Sequence, residues 1–115
     1  MDELAARVGE DDLVLLDVRS RGEFLGALGA PCDPRQGRIP GARHLDLADL
    51  LRLSPEEVRE RVGAPEGAEV IAYCHSGNRS AHAVAILGAA GYAARNYAGS
   101  WHEWSHDPTL PLEQG

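Results

Sequence analysis

Short apolar runs alternate along the chain with segments of helical periodicity. Residues 13–16 and 70–73 are continuous apolar runs, a pattern typical of strands that are covered on both faces. Residues 80–90 carry small apolar side chains at helical spacing, which predicts a helix that packs closely on a sheet. Strands that alternate with helices predict an α/β domain with a mostly parallel central sheet flanked by helices.

Capping residues predict where several helices begin. Ser20 and Glu23 have the spacing of a capping box. Ser54, Pro55 and Glu57 supply the N-cap, N1 and N3 residues of a helix that we expect to end at residue 61 or 62. Further short helices are predicted over residues 2–8, near residues 47–51, and from Trp101 to a point before Pro108.

The remaining segments predict strands, a turn and a loop. Two further strands are predicted over 42–45 and 95–97, and a turn over 9–12. Residues 26–38 are rich in Gly and Pro and predict an ordered loop. We interpret Cys32 in this loop as a small, partly buried residue, with a resolving or regulatory thiol as the alternative.

Composition narrows the class of protein. The chain has 115 residues, 43% hydrophobic and 25% charged, which indicates a single globular domain over residues 1–115. Its formal net charge of −7 disfavours nucleic acid or an anionic membrane as a partner, because both require a basic face. No apolar run approaches the length of a transmembrane helix. With two cysteines and no signal-peptide pattern, we expect a cytoplasmic protein with reduced thiols.

Cys74 lies between a predicted buried strand and the start of a predicted helix. Helix N-termini carry unpaired N–H groups and a partial positive charge, which favour the thiolate form of a nearby cysteine. Gly77 allows the backbone to turn so that successive N–H groups point inward, and Arg79 adds positive potential. Ser76 and Asn78 add further donors. The segment therefore predicts a nucleophilic thiolate in an anion-binding cradle.

The length of this loop separates two kinds of chemistry. Cysteine phosphatases place five residues between the nucleophile and the arginine and usually have His before the cysteine. Here four residues separate Cys74 from Arg79, and Tyr73 precedes the cysteine. A shorter ring makes a tighter cradle, which should hold one added sulfur better than a tetrahedral phosphate. The spacing favours sulfur transfer, and phosphoryl transfer stays as an alternative.

The chain resembles the rhodanese family of sulfurtransferases over nearly its whole length. Residues 15–24 and 37–42 are similar to the family's first and second conserved boxes, and residues 74–79 to its six-residue active-site loop. Residues 99–113 are similar to the end of the catalytic half of tandem-domain thiosulfate and mercaptopyruvate sulfurtransferases. The resemblance implies a three-layer rhodanese-like fold and thiosulfate sulfurtransferase-type activity.

A mechanism follows from the resemblance. Cys74 would attack the sulfane sulfur of a donor such as thiosulfate, release sulfite and carry the sulfur as a persulfide. A thiol, cyanide or a carrier protein would then accept it. Asp17 and Arg19 are expected to support the site by pairing at the edge of the sheet. The loop supplies the expected substrate-binding residues: His75, Ser76, Gly77, Asn78 and Arg79.

One position departs from the pattern of the thiosulfate enzymes. Glu23 stands where tandem thiosulfate enzymes have an Arg that binds the anionic group of the donor, so Arg79, Arg19 or Arg38 would have to supply that charge.

We expect no cofactor, no metal ion, and a monomer or weak homodimer. The non-enzymatic alternative is a rhodanese-like sulfur-carrier or binding module.

Residues 102–106 also match the H-E-x-x-H pattern of zinc metalloproteases. Gly99 and Pro108 leave no room for the long helix that carries this motif, and no His follows His106. We therefore do not interpret the segment as a zinc hydrolase site.

Overall fold

The computed structural model describes Leu4, Arg7 and residues 13–65 and 67–115. Its strands are β1 (Leu13–Asp17), β2 (Arg43–His44), β3 (Glu69–Tyr73) and β4 (Ala93–Asn96). They form one sheet in the spatial order β2-β1-β3-β4, and every pair in it is parallel. The helix predicted over 2–8 and the turn predicted over 9–12 lie outside the described residues, except that Leu4 and Arg7 are helical.

Five further helices are described around this sheet. They are α1 (Arg21–Leu25), α2 (Leu47–Leu50), α3 (Pro55–Val62), α4 (Asn78–Ala89) and α5 (Ser100–His106). Within the described residues, none of the helices has both the length and the apolar character needed to cross a bilayer, and α4 has 12 residues. A parallel sheet flanked by helices confirms the predicted α/β class.

The sheet separates two hydrophobic clusters. Val14 and Leu16 belong to one cluster, which includes side chains of α3 and α4. Leu15 belongs to the other, together with Trp101 and Trp104 of α5. Successive strand side chains point to opposite faces, so β1 is buried on both sides as its continuous apolar run predicts. The layers are thus helices, sheet and helix.

Three strands end side by side at one edge of the sheet. Asp17 is paired with Tyr73 in the register of β1 and β3, and Ala72 is paired with Asn96 in that of β3 and β4. The segments that follow these strands therefore start close together. Open α/β sheets place their functional sites at this carboxyl edge.

Some element boundaries differ from those predicted. The helix expected over 80–90 begins at Asn78, because Gly77 has a φ of 94° and turns the backbone into the helix in a single residue. β2 has two residues instead of the four expected over 42–45, since the N–H of Ala42 is still bonded within a turn. β4 spans 93–96 rather than 95–97. Both predicted capping boxes are formed.

A buried ion pair joins the carboxyl edge of β1 to the loop before β2. Asp17 and Arg19 are 0% and 1% exposed, and Arg19 Nη2 lies 2.7 Å from Asp17 Oδ2. The same nitrogen donates to the carbonyl of Gly37 at 2.6 Å. The guanidinium carbon lies 5.1 Å from the ring centre of Trp101. The expected pairing is therefore formed, and its supporting role in the site stays a prediction.

Arg19→Met tests what this pair contributes to stability. The substitution leaves Asp17 as a buried carboxylate without its cation, so the free energy of unfolding should fall by about 3–5 kcal/mol. Urea denaturation at neutral pH measures the change. Arg21→Met, at an exposed position two residues on, is the matched control and should change stability by less than about 0.5 kcal/mol. A loss below about 1 kcal/mol for Arg19→Met would contradict the role given to the pair.

Candidate active site

Cys74 directly follows β3 at the carboxyl edge of the sheet. The residue is 1% exposed. Its N–H donates to Ser100 Oγ at 3.0 Å, and its carbonyl accepts from the N–H of Trp101 at 2.9 Å. The nucleophile predicted from the sequence is therefore held between a central strand and the start of α5.

Three donors from the following turn converge on the sulfur of Cys74. The N–H of Gly77 lies 3.1 Å from Sγ, and the N–H and hydroxyl of Ser80 each lie 3.4 Å from it. Gly77 is required by this path: its φ is 94°, and a Cβ there would lie 2.6 Å from the carbonyl oxygen of Ala98. The geometry of an anion cradle is present, and its catalytic use stays a prediction.

The cradle changes the acidity of the thiol. Burial favours the neutral form of Cys74, but the Ser80 hydroxyl and the backbone N–H groups of Ser80, Gly77 and Ser76 outweigh burial and lower the pKa of Cys74. A larger fraction of this residue is thiolate at neutral pH than in a free cysteine, and the thiolate is the nucleophilic form.

The hydroxyl of Ser80 has a second neighbour in Asn96 of β4. Ser80 Oγ lies 2.6 Å from Asn96 Oδ1, and Asn96 Nδ2 donates to the carbonyl of Gly77 at 3.2 Å, which fixes the orientation of the amide. A hydroxyl has one proton, so it donates either to Asn96 or to the sulfur. The contact with Asn96 is the shorter one. A negative charge on the sulfur competes for this proton, because hydrogen bonds to ionised acceptors are the stronger ones.

Ser100 is a second residue that sequence reasoning missed, as it missed Asn96. Its φ is 52°, which is uncommon for a residue with a Cβ. Its hydroxyl accepts from the N–H of Cys74 and donates to the carbonyl of Tyr97 at 2.7 Å. These bonds offset a left-handed backbone that costs about 1–2 kcal/mol. The sequence signal that could have pointed to Ser100 was the resemblance of residues 99–104 to the rhodanese family.

Arg79 forms a two-pronged ion pair with Glu23. Its Nη1 lies 2.9 Å from Oε1 and its Nη2 3.1 Å from Oε2. Burial would raise the pKa of Glu23, but the hydrogen bonds and charge of Arg79 and the N–H of Ser20 outweigh it and lower that pKa to about 2. The positive charge expected beside the cradle is therefore balanced by a carboxylate from α1.

The other predicted substrate-binding residues lie at the rim of the loop. Ser76 and Asn78 are exposed. His75 is half-buried and faces Asp33, with 3.0 Å between its Nε2 and Oδ2 of the carboxylate. The structure thus brings Gly77 to the sulfur and leaves the roles of the rim residues as predictions.

The loop over 26–38 is ordered, as predicted, and is attached to α5. Arg35 donates to four carbonyl oxygens at and beyond the end of this helix, those of Trp104, Ser105, Asp107 and Leu110. Cys32 is exposed, so its interpretation as a partly buried residue is wrong. The loop turns the side chain of Asp33 inward and that of Cys32 outward.

Comparison with known proteins places the chain in a family. The family model of the rhodanese-like domain matches residues 1–107. The chain belongs to the rhodanese family. A protein of Pseudomonas aeruginosa named as a probable 3-mercaptopyruvate sulfurtransferase is 39% identical over 97% of this chain, and a sulfur carrier protein of Thermus thermophilus is 34% identical over 95% of it. The crystal structure of a probable thiosulfate sulfurtransferase is 50% identical over 97% of this chain, with a TM-score of 0.83.

The chain spans less than half the length of each of those proteins. It covers 43% of the P. aeruginosa relative, 44% of the T. thermophilus relative and 45% of the crystallised chain. The family and the fold expected from the sequence are confirmed. That residues 1–115 form a single rhodanese domain stays a prediction.

Ser80→Ala tests how the cradle sets the acidity of Cys74. The substitution removes the hydroxyl and keeps the N–H, so the pKa of Cys74 should rise towards its ordinary value. The measurement is a pH titration of ultraviolet thiolate absorbance, taken as the difference between each protein and its Cys74→Ser counterpart.

Ser76→Ala is the matched control, because it removes an exposed hydroxyl from the same loop and keeps the N–H. Its titration midpoint should equal that of the unchanged protein. An unchanged midpoint in Ser80→Ala would mean that Asn96 keeps the proton even when the thiolate forms.

Proposed function

We propose that this rhodanese domain is a sulfurtransferase that carries a sulfane sulfur on Cys74 from a small donor to a thiophilic acceptor. The observation that carries the proposal is the convergence of three donors, from Gly77 and Ser80, on one buried sulfur. Donors fixed in this way stabilise negative charge on sulfur without reorganisation during the reaction. The names of two relatives as sulfurtransferases support the same reaction class.

The proposed transfer has two displacement steps. The Cys74 thiolate attacks the outer sulfur of thiosulfate, a new S–S bond forms, and the bond to the sulfonate sulfur breaks with its electron pair, so that sulfite leaves. An acceptor nucleophile such as cyanide or a thiolate then attacks the outer sulfur of the persulfide. That second step returns the thiolate of Cys74.

The size of the cradle favours sulfur over phosphate. The helix α4 begins at Asn78, inside the loop, so the turn around Sγ closes within six residues from Cys74 to Arg79. Its donors already lie at 3.1–3.4 Å from one sulfur atom. A tetrahedral phosphate with three more oxygens would need a wider ring, so phosphoryl transfer is the weaker alternative.

The choice of donor depends on which cations can meet an anion. Arg19 is buried in its ion pair with Asp17. Arg38 donates to two backbone carbonyls, and Arg79 is paired with Glu23. All three arginines considered for donor binding are therefore engaged. A dianion such as thiosulfate must compete with Glu23 for Arg79 or use the N–H groups of the loop, which disfavours tight thiosulfate binding.

A sulfur carrier is the second candidate, because a relative that is 34% identical is named as one. A carrier and an enzyme share the persulfide and differ in turnover. An enzyme cycles many times with excess donor and cyanide, whereas a carrier loads once and discharges only to its own partner. Thiocyanate produced per mole of protein distinguishes them.

The persulfide is tested by intact-protein and peptide mass spectrometry after incubation with thiosulfate or with 3-mercaptopyruvate. A gain of about 32 Da, one sulfur atom, should appear on the peptide that contains Cys74, because that thiolate is the nucleophile. Cyanide should remove it.

Cys74→Ser and Cys32→Ser are the paired variants for this experiment. The first should lose the adduct, and the second should keep it. No adduct with either donor would overturn the sulfurtransferase proposal, and aryl phosphate hydrolysis that depends on Cys74 would support the phosphatase alternative.

Glu23→Gln tests the proposed competition for Arg79. Gln keeps the capping interaction with Ser20 but removes the carboxylate, so the guanidinium becomes available to an anionic donor. We expect kcat/KM for thiosulfate to rise roughly twofold to fivefold, because a partly exposed ion pair is worth up to about 1 kcal/mol. Steady-state kinetics with excess cyanide measure the change.

Glu57→Gln is the matched control, since it makes the same change in the capping box of α3. It should leave kcat/KM unchanged. A fall in kcat/KM for Glu23→Gln would show instead that the ion pair positions Arg79 for the donor.

A further inference from the structure

Four side chains that commonly bind metal ions meet beside the active-site loop. Cys32 and Asp33 come from the loop over 26–38, His75 from the turn after β3, and His102 from α5. One donor atom of each lies within 4.8 Å of all the others. These residues come from three separate segments of the sequence, and none of them was predicted to be a metal ligand.

Asp33 lies at the centre of this cluster. Its Oδ1 is 2.9 Å from His102 Nδ1, and its Oδ2 is 3.0 Å from His75 Nε2. The sulfur of Cys32 is 3.8 Å from Asp33 Oδ1 and 4.0 Å from His102 Nδ1. Bonds of tetrahedral zinc sites place neighbouring donor atoms about 3.3–3.7 Å apart. The separations fall on both sides of that distance, so side-chain shifts would bring the donor atoms into such a site.

Two atoms of the cluster are buried without a hydrogen bond. Among the described residues, neither Asp33 Oδ2 nor His75 Nε2 has a hydrogen-bond partner, although the two atoms are close to each other. The side chain of Asp33 is 1% exposed. A buried carboxylate oxygen in this condition costs stability. The carboxylate of Asp33 lies between two imidazoles, with Oδ1 hydrogen-bonded to His102 and Oδ2 beside His75, an arrangement that suits a bound cation.

The backbone around the cluster is held in place independently of any ligand. The N–H of His102 donates to the carbonyl of His75 at 2.9 Å, which ties the two histidine segments together. Gln36 donates to the carbonyls of Ala30 and Asp33, and Trp101 Nε1 donates to the carbonyl of Arg35 at 3.0 Å. The backbone segments that carry the four side chains are therefore positioned by bonds that do not use the donor atoms.

The donor types indicate which ion would bind. A thiolate, two imidazoles and one carboxylate suit zinc and similar divalent transition metals, whereas Mg²⁺ and Ca²⁺ prefer oxygen donors alone. Exposure of Cys32 provides a path for the ion from solvent.

We propose that Cys32, Asp33, His75 and His102 form a four-coordinate site for a divalent transition-metal ion of the zinc class. Cys32 binds as the thiolate and releases its proton when the ion enters. Because His75 directly follows Cys74, the ion would fix the side chain next to the nucleophile. The proposal departs from the expectation, made from the sequence, of a protein without a metal ion, and it does not depend on sulfur transfer.

Titration of Co²⁺ into the full chain carrying Cys74→Ser tests the proposal, because Cys32 is then the remaining cysteine. We expect binding of about one equivalent with an absorption band from thiolate-to-cobalt charge transfer, displaced by Zn²⁺. Adding Cys32→Ser should abolish the band. It should also weaken Co²⁺ binding by at least about tenfold. Loss of a residue that only supports a metal ligand already weakens binding by about tenfold or more, and Cys32 is proposed as a ligand itself.

Two histidine variants complete the experiment. His102→Gln should weaken binding by a similar factor. His106→Gln is the matched control, one turn further along α5 with its ring 4.5 Å from that of His102, and it should bind Co²⁺ unchanged. Absence of the charge-transfer band, or retention of full affinity in Cys32→Ser, would overturn the proposal. Loss of binding in His106→Gln would also overturn it, by placing the ion on the histidine pair of α5.

Discussion

The turn from β3 into α4 is the constraint on which the site depends. The chain must leave a buried strand, pass around a sulfur atom and enter a helix within four residues, and Gly77 permits this with a φ of 94°. A side chain there would meet the carbonyl of Ala98 at 2.6 Å. Because two of the three donors to the sulfur are backbone N–H groups, the path of the chain itself contributes to the stabilisation of the thiolate, beside the hydroxyl of Ser80.

Residues at the carboxyl edge of the sheet hold this turn in place. Asn96, at the end of β4, binds both the carbonyl of Gly77 and the hydroxyl of Ser80. Ser100 binds the N–H of Cys74 at the cost of a left-handed backbone. The register of three parallel strands is what places these residues around one sulfur, so the fold and the cradle cannot be separated physically.

Local features of the sequence predicted most of this arrangement. The apolar runs of β1 and β3, the capping boxes at Ser20 and Ser54, and the turn after Cys74 depend on neighbouring residues, and each is present in the structure. Features that depend on distant contacts were missed. Asp33 and His102 are separated by 69 positions, and periodicity or spacing holds no information about such a pair. The same reason explains the error about Cys32, whose exposure is set by the attachment of its loop to α5.

Carboxylates from outside the loop engage both of its basic side chains. Glu23 from α1 pairs with Arg79, and Asp33 faces His75. Each of these basic side chains thereby has a carboxylate neighbour, and the sulfur is left to the N–H groups and one hydroxyl. An anion that binds Arg79, or a cation that binds Asp33 and His75 together, would therefore alter the rim while the backbone donors keep their positions. The proposed donor contact at Arg79 and the hydrogen bonds that lower the pKa of Cys74 thus involve different groups of the same loop.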